Sequence, residues 1–449
     1  MNAEQILTTC QEAGVRLARF LYCDNGGVIR GKTSGMASLS SRLHDGIGLT
    51  VAMMAMNSLD QLQPIEGMGP VGEVRLMPDL DSFAVLPYTP HSAAFCCDMV
   101  RTDHAPWDAC PRSFLKRMRE RAAAQGLRLL AAFEAEFSLA QRLPDGSFTP
   151  FDQTLCFSSI AMTQAAAFVD DLVAALEAQG LTVEQYYPEL AHGQHEISIR
   201  HGEALQAADH HVQLRETIRG VAWNHGLYAS LAPKPWPDAA GNGGHIHFSL
   251  WDEAGQNVFY DPATPDSLSE RGRHFLAGVR EHLPALVALT CPSVNSYRRL
   301  QPQSWSSAFA VYGHDNREAA IRIASPFWSD RAGTVNLELK AADSSSNPYL
   351  ALGGLLAAGL DGLDRRLDPG TAIEVDPVSL TEEQRREQGI ARLPGSLDEA
   401  LSALEADSVL MSALSPLLSH SYLTVRRSEA AAFRDKDTDF EIANHFYKF

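Results

Sequence analysis

The chain has 449 residues, with 37 Lys and Arg against 55 Asp and Glu, a formal net charge of −18. Its 45% hydrophobic and 20% charged residues are those of a folded globular chain, which excludes wholesale disorder. Excess acid excludes an extended nucleic-acid or anionic-membrane surface, since both need clustered positive charge. Any anionic substrate must therefore be met by a local Arg or Lys site. The longest apolar run, Tyr349 to Leu360, is too short to cross a bilayer, and the N-terminus lacks the basic and apolar regions of a signal peptide. Seven scattered cysteines, an odd number, form no recognisable disulfide framework, so a cytoplasmic setting is expected.

In chain order, residues 1–20 read as a helix turning into a strand. Phe20 to Cys23 and Val28 to Arg30 then flank Asp24-Asn25-Gly26-Gly27, a hairpin signal. Strand-like runs follow at Val51–Met56, Glu73–Met77 and Phe83–Pro87. Near residue 105 the texture changes. A helix begins at Cys110-Pro111 and stops at Gly126, and strands then alternate with helices. Strands are expected at 128–139, 195–200, 245–250, 318–324 and 334–340, and helices at 161–180, 203–226, 270–290 and 348–363. This predicts a β-rich domain over 1–104 and a larger α+β domain over 105–449.

Gly26, Gly31, Lys32 and Thr33 match the letters of a phosphate-binding loop. Such a loop needs a helix opening at the Lys-Thr pair, facing the phosphates. Here Val28-Ile29-Arg30 favours strand and Ser34-Gly35 follows, so the match is rejected.

Chemistry concentrates on strands with one apolar face. Alternation puts Glu134 and Glu136 on one face of a strand and Phe133, Ala135 and Phe137 on the other. Two carboxylates about 7 Å apart on an otherwise apolar strand repel each other, and a divalent cation would relieve that cost. Glu189 and Glu196, His245, His247 and Ser249, and Glu338 repeat the device on other strands. Mostly oxygen donors with one or two imidazoles suit Mg²⁺ or Mn²⁺. Arg298, Arg299, Arg317 and Arg322 add cationic groups of the kind that hold carboxylate or phosphate, and the combination suggests phosphoryl transfer from a nucleotide.

Taken in order, these segments resemble the glutamine synthetase family over nearly the whole chain. The matching motifs include Arg30-Gly31-Lys32, Met77-Pro78-Asp79, Phe133–Phe137, Gly193-Gln194-His195-Glu196, His245–Leu250, Asn295–Leu300, Asn316-Arg317, Ile321-Arg322-Ile323 and Asn347-Pro348-Tyr349-Leu350. The resemblance, of the type I-like kind, implies an α+β fold: a β-grasp N-terminal domain plus a catalytic domain with a curved antiparallel sheet. It implies a homo-oligomer of stacked rings, a dodecamer, with active sites between neighbouring subunits. It also implies ATP as co-substrate and two Mg²⁺ or Mn²⁺ ions per site. One ion is assigned to Glu136, Glu189 and Glu196, the other to Glu134, His245 and Glu338. Arg299 and Gly241 are assigned to the glutamate α-carboxylate, with Lys340 and Trp305 beside the substrates. His247, Ser249, Arg317 and Arg322 are assigned to ATP, and Arg299 and Arg317 to catalysis.

Departures from the family pattern point to a particular reaction. The loop after Arg299 reads Leu300-Gln301-Pro302-Gln303-Ser304-Trp305-Ser306-Ser307, without the acid that binds ammonium in glutamine synthetases. The N-terminal acid with the same role is missing around Asn57, with Asp60 displaced, and Asn336 and Lys340 replace arginines. A glutamate–amine ligase is therefore expected, closer to γ-glutamylpolyamine ligases than to a housekeeping enzyme. It would activate glutamate as γ-glutamyl phosphate and condense it with a small organic amine. Glutamine synthesis from ammonia and a non-catalytic nucleotide-binding ring are the alternatives. Neither nucleic acid nor membrane is expected as a partner.

Overall fold

Residues 1–449 are described by a computed structural model. The N-terminal strands are β1 (Leu17–Cys23), β2 (Ile29–Gly35), β3 (Ile47–Thr50), β4 (Glu73–Pro78), β5 (Ala84–Val85) and β6 (Ser92–Arg101). They form a mixed sheet in the order β2–β1–β6–β4–β3, with β5 on β6 and the central β1–β6 pair parallel. Helices Ala3–Glu12 and Met36–Asp45 bury Ile6, Cys10, Leu39 and Leu43 in the core of this sheet. The first helix starts cleanly because Asn2 and Gln5 cap each other's backbone N–H groups. The strand expected at Val51–Met56 is instead a 3₁₀ turn, Val51–Ala55, capped by Thr50. Its continuous apolar run buries Val51, Ala52, Met54 and Ala55 without the alternation that a half-exposed strand requires.

The β1–β2 hairpin forms, and Lys32 lies within β2, donating Nζ to the Gly48 carbonyl 2.6 Å away. No helix opens there, which agrees with rejecting the phosphate-loop reading. The connection is no surface turn, however. Asp24 and Asn25 are fully buried, and Asn347 Nδ2 donates to the carbonyls of Cys23 and Asp24. At Gly27, φ is +74° and a Cβ would stand 2.0 Å from the Ser345 carbonyl oxygen, so only glycine fits.

The second sheet contains β7 (Leu127–Arg142), β8 (Phe148–Pro150), β9 (Val183–Pro188), β10 (Gln194–Ile199), β11 (Gly202–Glu203), β12 (Tyr228–Ser230), β13 (Gly244–Asp252), β14 (Phe309–His314), β15 (Ala319–Ala324) and β16 (Asn336–Leu339). Its order is β14–β15–β16–β13–β7–β10–β9, with β8, β11 and β12 also on β7. Pairing is antiparallel except for β14–β15, which is parallel. The alternate residues Leu127, Leu129, Ala131, Phe133, Ala135, Phe137 and Leu139 of β7 are all buried, giving one continuous apolar face.

Helices Pro111–Ala123, Ala204–Asn224, Glu270–Thr290 and Pro348–Arg365 contribute to the large core that includes Leu127, Leu129, Ala131 and Phe133 of that face, while Ala135, Phe137 and Leu139 join a second cluster. The single helix expected at 161–180 is two, Ser159–Gln164 and Ala166–Ala178, separated at Ala165. Arg112, on the first helix of the large domain, reaches Asp79 just after β4, Asp98 of β6 and Asp209 of helix Ala204–Asn224, at 2.6–2.8 Å.

Candidate active site

The carboxylates and imidazoles come together through strand register. Glu136 of β7 stands opposite Glu196 of β10, and Glu134 opposite His245 of β13. His247 of β13 stands opposite Glu338 of β16, which in turn faces Arg322 of β15. Because directly opposed residues lie on the same face of a sheet, the ladder gathers these side chains on the face opposite the apolar core. Glu189 follows β9, and its Oε2 accepts the Leu190 N–H at 2.9 Å.

One end of the ladder is charge-balanced. His245 Nδ1 lies 3.2 Å from Glu338 Oε1 and 3.7 Å from Glu134 Oε2, while His247 Nε2 lies 3.1 Å from Glu134 Oε1. Glu134, His247 and Glu338 offer donor atoms all within 4.8 Å of one another. Asn336 orients His247: its Oδ1 is 2.8 Å from Nδ1, and its own amide donates to the Thr334 carbonyl, so Nε2 is turned inward. Glu338 also pairs with Arg322 Nε and, at 3.4 Å, with Lys340 Nζ. Burial alone would raise the Glu134 carboxyl, but His247 and His245 outweigh it and hold it well below the ordinary range. For His247, burial opposes protonation, yet Glu134 and Glu338 push its pKa up to about 9.

The other end is not balanced. Glu136 Oε2 accepts from Gln194 Nε2 at 2.8 Å and from the Gly243 N–H at 2.9 Å. Glu196 is capped by the Tyr187 hydroxyl. Burial and then Glu136 raise the Glu189 pKa to about 7, and burial followed by Glu134 and Glu136 raises Glu196 well above the carboxylate range. Burial comes first and the neighbouring carboxylates add to it, and a divalent ion is the group that would offset both. The donor set, carboxylate oxygens and imidazole nitrogens, fits Mg²⁺ or Mn²⁺. Gly243 is needed at the centre, since a Cβ there would lie 2.7 Å from His245 Nε2 and 2.9 Å from Glu136 Oε1.

Arg299 is buried against this end, donating to His245 Nε2 at 2.9 Å and to the Ala342 carbonyl at 3.1 Å. Its stem packs over Gly241, where a Cβ would be 3.1 Å from Arg299 Cγ. Ser249 continues the His245–His247 face of β13 and accepts from Trp251 Nε1 at 2.8 Å. Arg317 does not join the cluster; it is exposed on the turn before β15. Trp305 is also outside it, 54% exposed on the loop over the start of β15.

Three residues near the site escaped the sequence reading. Tyr187 was legible only as part of a β9 strand that was not anticipated. Phe157 stands edge-on to Tyr187 with ring centroids 5.2 Å apart, but its φ of +55° gave no signal. Glu318 accepts the Trp305 N–H at 2.9 Å, and its signal was parity, two residues before Ala320 and four before Arg322 on an expected strand.

The arrangement gathers carboxylates and imidazoles on one face of a mainly antiparallel sheet, with Arg299 and Arg322 among them. The catalytic-domain profile of glutamine synthetase matches residues 108–445 and the glutamine synthetase N-terminal domain profile matches 1–107, so the chain belongs to the glutamine synthetase family. It is 36% identical to the γ-glutamylpolyamine synthetase GlnA3 of Streptomyces coelicolor, covering 97% of this chain and 94% of that one. It is 37% identical to the glutamine synthetase of Halobacterium salinarum, covering 100% and 97%. Among solved structures, a novel glutamine synthase homolog superposes with a TM-score of 0.86 at 35% identity, covering 97% and 99% of the two chains. A GmaS/ADP complex gives 0.85 at 30% identity, covering 97% and 98%.

Proposed function

We propose that the chain is a glutamate–amine ligase that makes γ-glutamylamides at the expense of ATP. The γ-carboxylate oxygen of glutamate attacks the terminal phosphorus of ATP and ADP leaves. The amine nitrogen then attacks the acyl carbon, phosphate departs with the bonding pair, and the nitrogen gives up a proton. Arg299 and the Gly241 backbone hold the α-carboxylate, while His247, Ser249, Arg317 and Arg322 hold the nucleotide and the transferred phosphoryl group. Lys340 and Trp305 border the substrates. Two divalent cations, Mg²⁺ or Mn²⁺, belong with Glu136, Glu189 and Glu196 and with Glu134, His245 and Glu338. When bound, they would neutralise the phosphate charge that these carboxylates alone would repel.

The observation that carries the amine reading is the loop Leu300–Ser307, which has no acid and exposes Trp305. Ammonium is small and strongly hydrated, so a site for it needs fixed negative charge close to the acyl carbon. An alkyl-amine gains from its apolar tail against Trp305, at about 25 cal/mol per Å² buried. The γ-glutamylpolyamine synthetase among the relatives supports this reading. The glutamine synthetase relative, equally similar, supports ammonia as the alternative nucleophile.

Phosphate release with glutamate, ATP and Mg²⁺ across a panel of amines separates the two. We expect kcat/KM for some primary mono- or polyamine to exceed that for ammonium by at least about tenfold, with Trp305→Ala hurting the amine reaction more. Ammonium as the best nucleophile would restore glutamine synthesis. The family resemblance also supports stacked rings, a dodecamer of the 49.0 kDa chain. Sedimentation as a monomer would overturn that assembly.

A further inference from the structure

The loop that lacks an acid is built on one. Gln303, Trp305 and Ser307 have φ of +59°, +51° and +69°, left-handed conformations that cost non-glycine residues free energy. Ser306 and Ser307 tie the loop down by donating to the carbonyls of Arg299 and Ala319. Just before them, the Trp305 N–H turns onto the Glu318 carboxylate at 2.9 Å. Glu318 is half-buried and leads directly into β15, whose Arg322 reaches Glu338 of the ladder. Beside it, Lys340 donates its backbone N–H to the Ala320 carbonyl and sends Nζ to Glu338.

No side-chain cation hydrogen-bonds Glu318. Burial, with Asp376 also adding negative charge, raises its carboxyl above the ordinary value, against the opposing pull of the Trp305 N–H and Lys340. A carboxylate that anchors the backbone of an exposed tryptophan at the start of β15 is complementary, when ionised, to a cation with an apolar tail.

We propose that Glu318 is the fixed anion that receives the cationic head of the amine substrate, supplying from the turn before β15 the charge that the loop itself lacks. The bound ammonium head gives one proton to water, and the freed lone pair then attacks the acyl carbon. Trp305, seated on the same carboxylate through its backbone, covers the alkyl part. The inference rests on the amine-ligase reading and names the residue that sets its specificity. It also gives the strained loop a reason. The carboxylate that the ligand needs is the one that holds the indole in place.

Glu318→Gln tests this, because the amide oxygen still accepts the Trp305 N–H while the charge is gone. Butylamine and 1,4-diaminobutane arrive as cations at pH 7.5, whereas hydroxylamine is neutral and has no tail. We expect Glu318→Gln to lower kcat/KM for the two alkyl-amines about 10- to 100-fold more than for hydroxylamine, mainly through KM, with Glu318→Asp recovering part of the loss. Thermal unfolding of each variant reports whether the loop's support has been damaged. An equal loss with all three nucleophiles would reduce Glu318 to a structural anchor, and no loss would remove it from the site; both overturn the proposal. The wild-type ranking of amines against ammonium is read separately, so failure of the amine-ligase reading is distinguishable from failure of this one.

Discussion

At the residue scale, the site is a set of charges arranged so that one half is self-sufficient and the other is not. Glu134 and Glu338 have His245, His247, Arg322 and Lys340 around them. Glu189 and Glu196 have each other, Glu136 and a tyrosine, and burial drives both toward the protonated form. Divalent-ion titration by calorimetry should therefore show binding that Glu136→Ala weakens, by roughly tenfold or more, since losing one carboxylate removes a donor and a charge together. Binding unchanged in Glu136→Ala would remove that residue from the assignment. The sequence exposed these ligands because strand alternation is visible in it: apolar residues at 133, 135 and 137 leave 134 and 136 nowhere else to point. Arg317 had no such constraint, and the structure leaves it exposed on a turn.

Among the elements, three helices meet at one buried histidine. His282 on Glu270–Thr290 lies 3.0 Å from Asp361 of Pro348–Arg365 and 2.6 Å from Asp407, which also caps Ser408–Leu414 by accepting the Val409 and Leu410 N–H groups. Burial would lower the His282 pKa, but the two aspartates outweigh it and raise it above its ordinary value. A group whose native pKa is raised stabilises the fold in full below its unfolded value, about 6.5, and loses that contribution as pH rises through the native one. Urea unfolding should thus show the gap between wild type and His282→Gln largest near pH 6 and narrowing toward pH 9. A gap that widens with pH would mean that the pairing is not ionic. Nothing in the local sequence announced this. His282 sits in a helical run, and its partners are 79 and 125 residues away.

Across the whole molecule, the two sheets are joined by polar contacts centred on buried groups. Arg112, 2% exposed, binds carboxylates from both domains, and the β1–β2 connection is pressed against Ser345 and Asn347. Removing one partner of such a network leaves buried charge without compensation, typically costing about 3–5 kcal/mol. Arg112→Ala should lower the unfolding free energy by that order, measured in denaturant. A loss under about 1 kcal/mol would show that water replaces the guanidinium at little cost. Such a junction makes the small domain part of the catalytic body rather than an appendage. Asp24-Asn25-Gly26-Gly27 reads as a loop by composition, but composition cannot say that a second domain covers it.

What the sequence determined by itself is periodicity and chemistry: the strands bearing Glu134, Glu196, His245 and Glu338, the long apolar helix after Asn347, and the family to which their order belongs. These are local properties, since a strand's two faces and a helix's stripe are set by neighbours two to four residues away. Register was not local. Only pairing across β9, β10, β7, β13, β16 and β15 put Tyr187 on Glu196, Glu136 on Glu196, and Arg322 on Glu338. Val51–Ala55 became a 3₁₀ turn rather than a strand because it is buried among Met54's core neighbours and has no strand beside it to complete a ladder. Glu318 shows the same limit at the site. Its carboxylate answers the acid missing from the loop only because the chain folds Trp305 back onto it, across 13 residues that no local pattern connects.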